Sequence, residues 1–327
     1  MEMLKLFVQH NEAADLEVHH VDTARIYASG KTEPIVGAIL KSFTPSKGAI
    51  VLGTKAHPSV EGGLSSAGIR GQVQASLEAM DVKSFGEYYL HQPDTEHSLL
   101  ESLKCAHDLV TEGVVCTIGM SNYHSSEMER AFQICEKHNL TRPTVYQGLY
   151  NPLNRAVEEE LLPVLKKNKC SFVAYNPLAA GMLAGKHTNK DEVQAGRFKN
   201  NPNYLPRFYT DSNFEAIDLI RKACEKEGIT MVEATYRWLL RHSALDENDG
   251  VLLGASSAAQ LTQNLHACAS AAEKGPLSPQ VLEAFDEAWK ITADGAFPYW
   301  RSYSSDMPNR DSLDQGASYD AAKVKKT

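Results

Sequence analysis

Four side chains able to move or steer a proton sit where apolar runs end. Asp22 and Tyr27 belong to Val21-Asp22-Thr23-Ala24-Arg25-Ile26-Tyr27, which follows the β-branched run from Val18 and precedes the turn signal Ser29-Gly30. Lys55 closes Gly53-Thr54-Lys55, and His91 closes Tyr89-Leu90-His91. Parallel β/α folds keep their chemistry just beyond the carboxyl ends of the strands, so these four residues converge on one rim. A phenol titrates near ~10 in water, a poor match to neutral pH. A nearby ammonium favours phenolate and lowers that value, and a carboxylate paired to the ammonium keeps it in place. Tyr27 is thus a candidate general acid, Lys55 its electrostatic tuner and Asp22 the orienting group. His91 is a candidate neutral hydrogen-bond donor. A lone strand-end lysine is more often solvated, and a lone histidine more often structural. The chemistry is argued from their common placement.

The elements that must position them alternate regularly. Apolar or β-branched runs near 18–22, 49–55, 85–91, 115–121, 144–149, 171–175 and 250–254 read as strands. The run 49–55 is continuously apolar, as a strand buried on both faces requires. Helical periodicity falls at 3–16, 32–43, 66–80, 97–112, 125–138, 157–168, 213–227, 231–242, 258–272 and 279–292. Strands alternating with such helices imply βαβ units and a parallel sheet. The expected fold class is therefore α/β, a (β/α)8 barrel, yet seven strands are read where closure needs eight. Either the chain starts inside its first helix because the start is placed late, or the first strand is missing; the sequence leaves this open. Residues 181–211, rich in Gly, Asn, Pro, Lys and Arg, read as a long functional loop. A single barrel domain is expected over 1–301, with a polar, disordered tail over 302–327.

Composition excludes several classes. The chain of 327 residues is 43% hydrophobic and 23% charged, ordinary for a globular protein. A net charge of -8 argues against a nucleic-acid partner, which would need a basic face. The six cysteines lack a Cys-x-x-Cys pair and read as reduced, mostly buried thiols, and no metal site is expected. No apolar run approaches the ~18 residues of a membrane span, and no signal peptide is legible. A cytoplasmic protein without a membrane partner is expected.

The four residues and their surroundings resemble the catalytic tetrad of the aldo-keto reductase superfamily, and the resemblance runs from about residue 18 to 301. It implies an NADPH/NADP+-dependent reductase of aldehydes or ketones, with a small-molecule carbonyl as substrate and a homodimer left open. Ser121, Asn122 and Gln147 resemble contacts to the nicotinamide carboxamide. Tyr175 resembles the aromatic on which the ring stacks, and Asn176 to Lys186, with Leu178, Gly181 and Gly185, resembles the loop that wraps the pyrophosphate. The segment Gly254 to Asn264 takes the place of the motif for phosphate and adenine, with Ser256, Gln260, Gln263 and Asn264 as contacts at a helix start. It departs from the common pattern, which has Lys in place of Gly254 and Arg in place of Gln260. Its form is instead similar to the aflatoxin-aldehyde reductase branch, as are Asp22-Thr23-Ala24, Tyr146-Gln147-Gly148-Leu149-Tyr150-Asn151 and Gly196-Arg197-Phe198. In that branch lysine and arginine from the long loop compensate, here Lys186 and Arg197. Arg207 and Arg301 match positions that bind a substrate carboxylate there, which implies acidic aldehydes such as a semialdehyde. Some relatives of this fold serve mainly as regulatory subunits of ion channels, which is the alternative.

Overall fold

The computed structural model describes residues 1–193, 198–199, 201, 203–314 and 316–317. In chain order the main elements are α1 (Glu2–Ala13), β1 (Val18–Asp22), α2 (Thr32–Leu40), β2 (Ala49–Ala56), α3 (Ser66–Met80), β3 (Phe85–Leu90), α4 (Leu99–Thr111), β4 (Val115–Ser121), α5 (Ser125–His138) and β5 (Val145–Leu149). They continue as α6 (Leu161–Lys167), β6 (Ser171–Tyr175), α7 (Leu205–Phe208), α8 (Asp211–Lys226), α9 (Met231–Arg241), β7 (Gly250–Val251), α10 (Ala258–Glu273) and α11 (Pro279–Thr292). Strand–helix alternation with parallel neighbours in chain order is the (β/α)8-barrel architecture, here with seven strands among the described residues, Val18–Asp22 the first. No helix among them is long and apolar enough to cross a membrane. All six cysteines are free thiols, four of them buried.

Two compact units divide the chain. The first comprises Met1–Gln147, Val164–Ser171 and Trp300–Gly316. Its strands pair in parallel, β1 with β2, β2 with β3, β3 with β4 and β4 with β5. Ile69, Val73 and Met80 of α3, and Leu99, Leu103, Ala106 and Leu109 of α4, recur at helical spacing and are buried. The spacing read from sequence is thus the packed stripe of each helix. Ser65 and Ser98 start α3 and α4 by accepting the amides of Gly68 and Glu101. Gly37 permits α2 to meet α3, since a Cβ there would lie 2.7 Å from the Met80 Cα.

The second unit comprises Gly148–Pro163, Phe172–Tyr299 and Ala317 among the described residues. β6 pairs with β7 through Val173↔Gly250 and Ala174↔Val251. α8 packs on α11 and α9 on α10, around Ile217, Ile220, Trp238, Leu239 and Phe285. β7 is shorter than the expected 250–254, although Leu252 still donates to the Ala174 carbonyl at 2.9 Å. α6 starts later than the expected 157, because Glu158 is held in the preceding turns by Arg155 and the Tyr150 hydroxyl. In the long loop Phe198 is buried against His187, Phe208 and Tyr209, and α7 occupies four residues that composition reads as irregular.

Residues 303–306 differ from the disorder that their composition suggests. Tyr303 and Ser304 are buried, and the Ser304 amide donates to both Glu127 oxygens at 3.2 Å. The Ser305 amide donates to the Asp94 carbonyl at 2.9 Å, while Asp306 accepts the Leu99 amide at 2.9 Å and pairs with Arg130. A polar segment orders here because its backbone donors meet a buried carboxylate, a contact that residue types along the chain do not announce.

Burial pushes the Glu127 carboxyl up to about 7, against the lowering effect of Ser304 and Arg130. A carboxyl raised in the folded state contributes stability that is fully present below its unfolded value and lost as pH rises through about 7. Glu127→Gln keeps an acceptor for Ser304 and removes the titration. Its melting temperature is therefore expected to fall less than the parent's between about pH 5 and pH 8, as thermal denaturation across that range would register.

Candidate active site

Strand register decides which side chains can meet. Asp22 pairs with Gly53, Gly53 with Glu87, Lys55 with Tyr89, and Tyr89 with Gly119. Residues in register share a face and alternate residues return to it, so His20, Asp22, Lys55, Glu87 and Tyr89 lie on one face. His91 follows two residues beyond Tyr89. The opposite face carries Leu52, Thr54, Ala56, Tyr88 and Leu90, all buried.

Lys55 is the centre of the first face and is fully buried. Its Nζ donates to Asp22 Oδ1 at 2.5 Å, Asp22 Oδ2 at 2.7 Å and the Thr23 carbonyl at 2.8 Å. Those three acceptors match the three donors of an ammonium. Asp22 also accepts from Gln147 Nε2 at 3.0 Å, so the carboxylate is fixed from both sides. Burial presses the Lys55 ammonium below the ordinary lysine value, and the charges of Asp22 and Glu87 oppose that shift. The Nζ lies 5.2 Å from the Tyr27 ring centroid and 5.3 Å from that of Tyr89.

Tyr27 is held by an unusual turn. Ala28 and Ser29 both adopt left-handed backbone (φ 48° and 55°), a conformation non-glycine residues rarely take twice in succession. Three residues before Tyr27, Ala24 is fully buried, and Arg25 donates to Glu33 at 2.6 Å. Glu33, fully buried on α2, also accepts from Thr54 and Ser76 at 2.7 Å each. One carboxylate thus ties the Tyr27 loop to β2, beside Lys55, and to α3. The Tyr27 ring meets the His91 ring edge-on, with centroids 5.7 Å apart.

His91 is held neutral: burial, with the charges of Lys55, His57 and Arg301, puts its pKa well below the usual histidine range. Its Nδ1 is buried with no hydrogen-bond partner in the protein. His57 stands edge-on to it at 5.1 Å, and burial lowers His57 to about 4. Asn122, in left-handed backbone (φ 63°), turns its amide to the His91 carbonyl at 2.8 Å and to the Ser121 hydroxyl at 2.9 Å. Its own carbonyl accepts the Arg301 amide at 2.9 Å. Asp22, Tyr27, Lys55, His91, Ser121, Asn122, Gln147 and Arg301 therefore all belong to the first unit.

The remaining sequence candidates belong to the second unit. Asn176, Ala179, Ala180 and Gly181 all have positive φ, and the Asn176 carbonyl accepts Asn151 at 3.1 Å. Leu178 accepts the Gly181 amide at 2.8 Å, so the segment after Tyr175 is a tight loop, with Lys186 exposed at its end. At the start of α10, the Gln260 side chain accepts from the Ser256 amide and hydroxyl at 2.9 and 2.8 Å, and Asn264 donates to the Gly254 carbonyl at 3.2 Å. Gln263 is exposed. The Arg207 guanidinium lies 3.8 Å from the Phe297 ring centroid. Arg197 lies outside the described residues. Ser121, Asn122 and Gln147 thus set a hydroxyl and two amides at strand ends of the first unit, while the left-handed loop and the start of α10 belong to the second.

Sequence reading missed Glu33, His57, Glu87 and Tyr89. The strand alternation carried a signal for three of them: His57 is two residues beyond Lys55, and Glu87 and Tyr89 precede His91 by four and two. Glu33 had none, because its partners are 8, 21 and 43 residues away.

Comparison with known proteins places these features in context. The Aldo/keto reductase family profile matches residues 2–290. The chain is similar to aflatoxin B1 aldehyde reductase member 2 of Mus musculus, 39% identical over 293 residues that cover 86% of this chain and 79% of that protein. It is 36% identical to aldo-keto reductase family 7 member A3 of Homo sapiens, covering 86% and 87% of the two chains. Oxidoreductase sirO of Leptosphaeria maculans is 32% identical, over 87% and 85%.

The Glu33 network generates a direct test. Glu33→Ala leaves a part-buried guanidinium and two buried hydroxyls without their shared acceptor. Breaking a buried pair in this way costs about 3–5 kcal/mol. Urea unfolding should show that loss, and a loss below about 1 kcal/mol would mean that the neighbours find other partners.

Proposed function

The chain belongs to the aldo/keto reductase family and is an oxidoreductase acting on carbonyl groups, and on that premise we propose an NADPH-dependent aldehyde or ketone reductase with Tyr27 as its proton donor. The observation that carries this reading is the fully buried Lys55 ammonium, bonded to Asp22 and Thr23 and 5.2 Å from the Tyr27 ring.

When bound, the reduced nicotinamide nucleotide supplies a hydride to the carbonyl carbon. The protein's part is to give the oxygen a proton at the same time. Tyr27 donates it from its hydroxyl, and the phenolate left behind is stabilised by the Lys55 charge. Asp22 keeps Lys55 in place, and Gln147 keeps Asp22 in place. His91, held neutral, can donate a hydrogen bond to the carbonyl oxygen without competing for the transferred proton. Ser121, Asn122 and Gln147 are proposed to orient the carboxamide, with Tyr175, Asn176, Leu178, Gly181, Ser256, Gln260, Gln263 and Asn264 as the nucleotide contacts of the second unit. Lys186 and Arg197 are proposed to supply the cations that favour a 2′-phosphate, since neither Gly254 nor Gln260 can. Relatives named for an aldehyde substrate support an aldehyde here too. Arg207 and Arg301 are proposed to favour substrates bearing a carboxylate.

Purified protein should oxidise NADPH in the presence of aldehydes. Tyr27→Phe should lose at least ~10²-fold in turnover, the lower range for removing a general acid, while still binding NADPH. Turnover close to that of the parent would take Tyr27 out of the mechanism. For substrate charge, succinic semialdehyde is expected to be reduced roughly ten- to hundred-fold more efficiently than a neutral aldehyde of similar length, as one charge-assisted hydrogen bond of about 1.5–3 kcal/mol implies. Arg301→Ala should erase the preference and spare the neutral substrate; equal efficiency in the parent would remove the arginines from recognition.

A further inference from the structure

Lys55 has a second anionic neighbour that the four-residue tetrad does not include. We propose that Glu87 and Tyr89 are positioning residues for the reduction: they form a second support for the Lys55 ammonium, and this support sets the upper pH limit of activity. The inference rests on the roles given above to Tyr27 and Lys55.

The geometry is specific. Tyr89 stands in register with Lys55 on one side and Gly119 on the other. Tyr89 is 1% exposed, and its ring centroid is 5.3 Å from the Lys55 Nζ. A Cβ on Gly119 would lie 2.3 Å from Tyr89 Cδ1, so the glycine makes the seat for this ring. The Tyr89 hydroxyl donates to Glu87 Oε2 at 2.7 Å. A phenol that donates to a carboxylate gains electron density in its ring, and a richer ring face attracts a cation more strongly. Glu87 is in turn 3.3 Å from His20 Nδ1. Burial raises the Glu87 carboxyl, but the hydrogen bonds from His20 and Tyr89 outweigh it and keep the group ionised. Burial also holds the Tyr89 phenol protonated, so it remains a donor.

The charged and titratable groups around Lys55 in this unit are Asp22 on β1, Tyr27 in the following loop, and Glu87, Tyr89 and His91 on or just after β3. His20 faces Glu87, and Cys170 faces Tyr89. His91 is neutral. His20, raised above its ordinary value by Glu87, carries charge at low pH and loses it as pH rises. Glu87 therefore gives its charge to Lys55 most fully in alkaline solution, where a buried ammonium is closest to losing its proton. Once Lys55 is neutral the Tyr27 phenolate loses its counter-charge, and proton donation to the carbonyl weakens.

The test is the pH dependence of kcat for carbonyl reduction. In Glu87→Gln the alkaline limb should move down by about one pH unit, the low end of the effect of one opposite charge nearby, while the NADPH Kd at neutral pH stays unchanged. Tyr89→Phe, which keeps the ring and loses the bond to Glu87, should shift the limb in the same direction by less, and Glu87→Asp should restore part of it. A purely structural role would lower kcat or stability at every pH and leave the limb in place; an unmoved limb in either folded variant overturns the proposal. If Glu87→Gln does not fold, Tyr89→Phe decides alone by the same criterion. A parent protein that reduces no carbonyl defeats the assigned function instead, and the pH titration of the Lys55 side chain followed by NMR would then decide this inference: equal midpoints in parent and Tyr89→Phe overturn it.

Discussion

Burying the Lys55 ammonium is the constraint on which the site depends. An amine stripped of water is unstable as a cation unless every proton finds an acceptor. Here two carboxylate oxygens and one backbone carbonyl do so within 2.8 Å. That requirement dictates where β1 must stop, because Asp22 and the Thr23 carbonyl can serve Lys55 only if β1 and β2 run in parallel with Asp22 against Gly53. It also explains why Gln147, on β5, spends its amide on Asp22: the carboxylate must not rotate away.

The two faces of the strands divide the work. One face gathers His20, Asp22, Lys55, Glu87 and Tyr89, groups that would be costly to bury singly. The other face buries Leu52, Ala56 and Leu90 together with His19, Tyr88 and Thr54, whose hydroxyl reaches Glu33. Glu33 is a buried carboxylate of the helical layer, held by three donors, from Arg25, Thr54 and Ser76. The charge is tolerated because it is paired and fully bonded. Its effect is to join the strained Tyr27 turn to the strand that carries Lys55.

The segment after Arg301 illustrates how a polar sequence becomes ordered. Trp300 and Tyr303 meet the His124 ring at 4.7 and 5.6 Å, while Ser304, Ser305 and Asp306 are held by backbone and carboxylate bonds. The same stretch puts Arg301 where its charge disfavours protons on His57 and His91. Burial remains the larger cause of the histidines' neutrality, and this charge adds to it.

Much of this protein was determined by its sequence alone. Periodicity of two and of 3.6 is a local property, so the strands at 18, 49, 85 and 115 and the helices between them were legible, as was the placement of Asp22, Lys55 and His91 at strand ends. The resemblance of their motifs carried the family. Tertiary structure decided what depends on contacts between distant residues. It decided that His57 stands against His91, and that Tyr89 rather than solvent covers part of Lys55. It decided that Glu33 gathers partners from three elements, and that Ser304 meets a buried Glu127. None of these could be read along the chain, because a hydrogen bond across 177 residues leaves no pattern in composition or spacing. Only register and packing bring its two ends together.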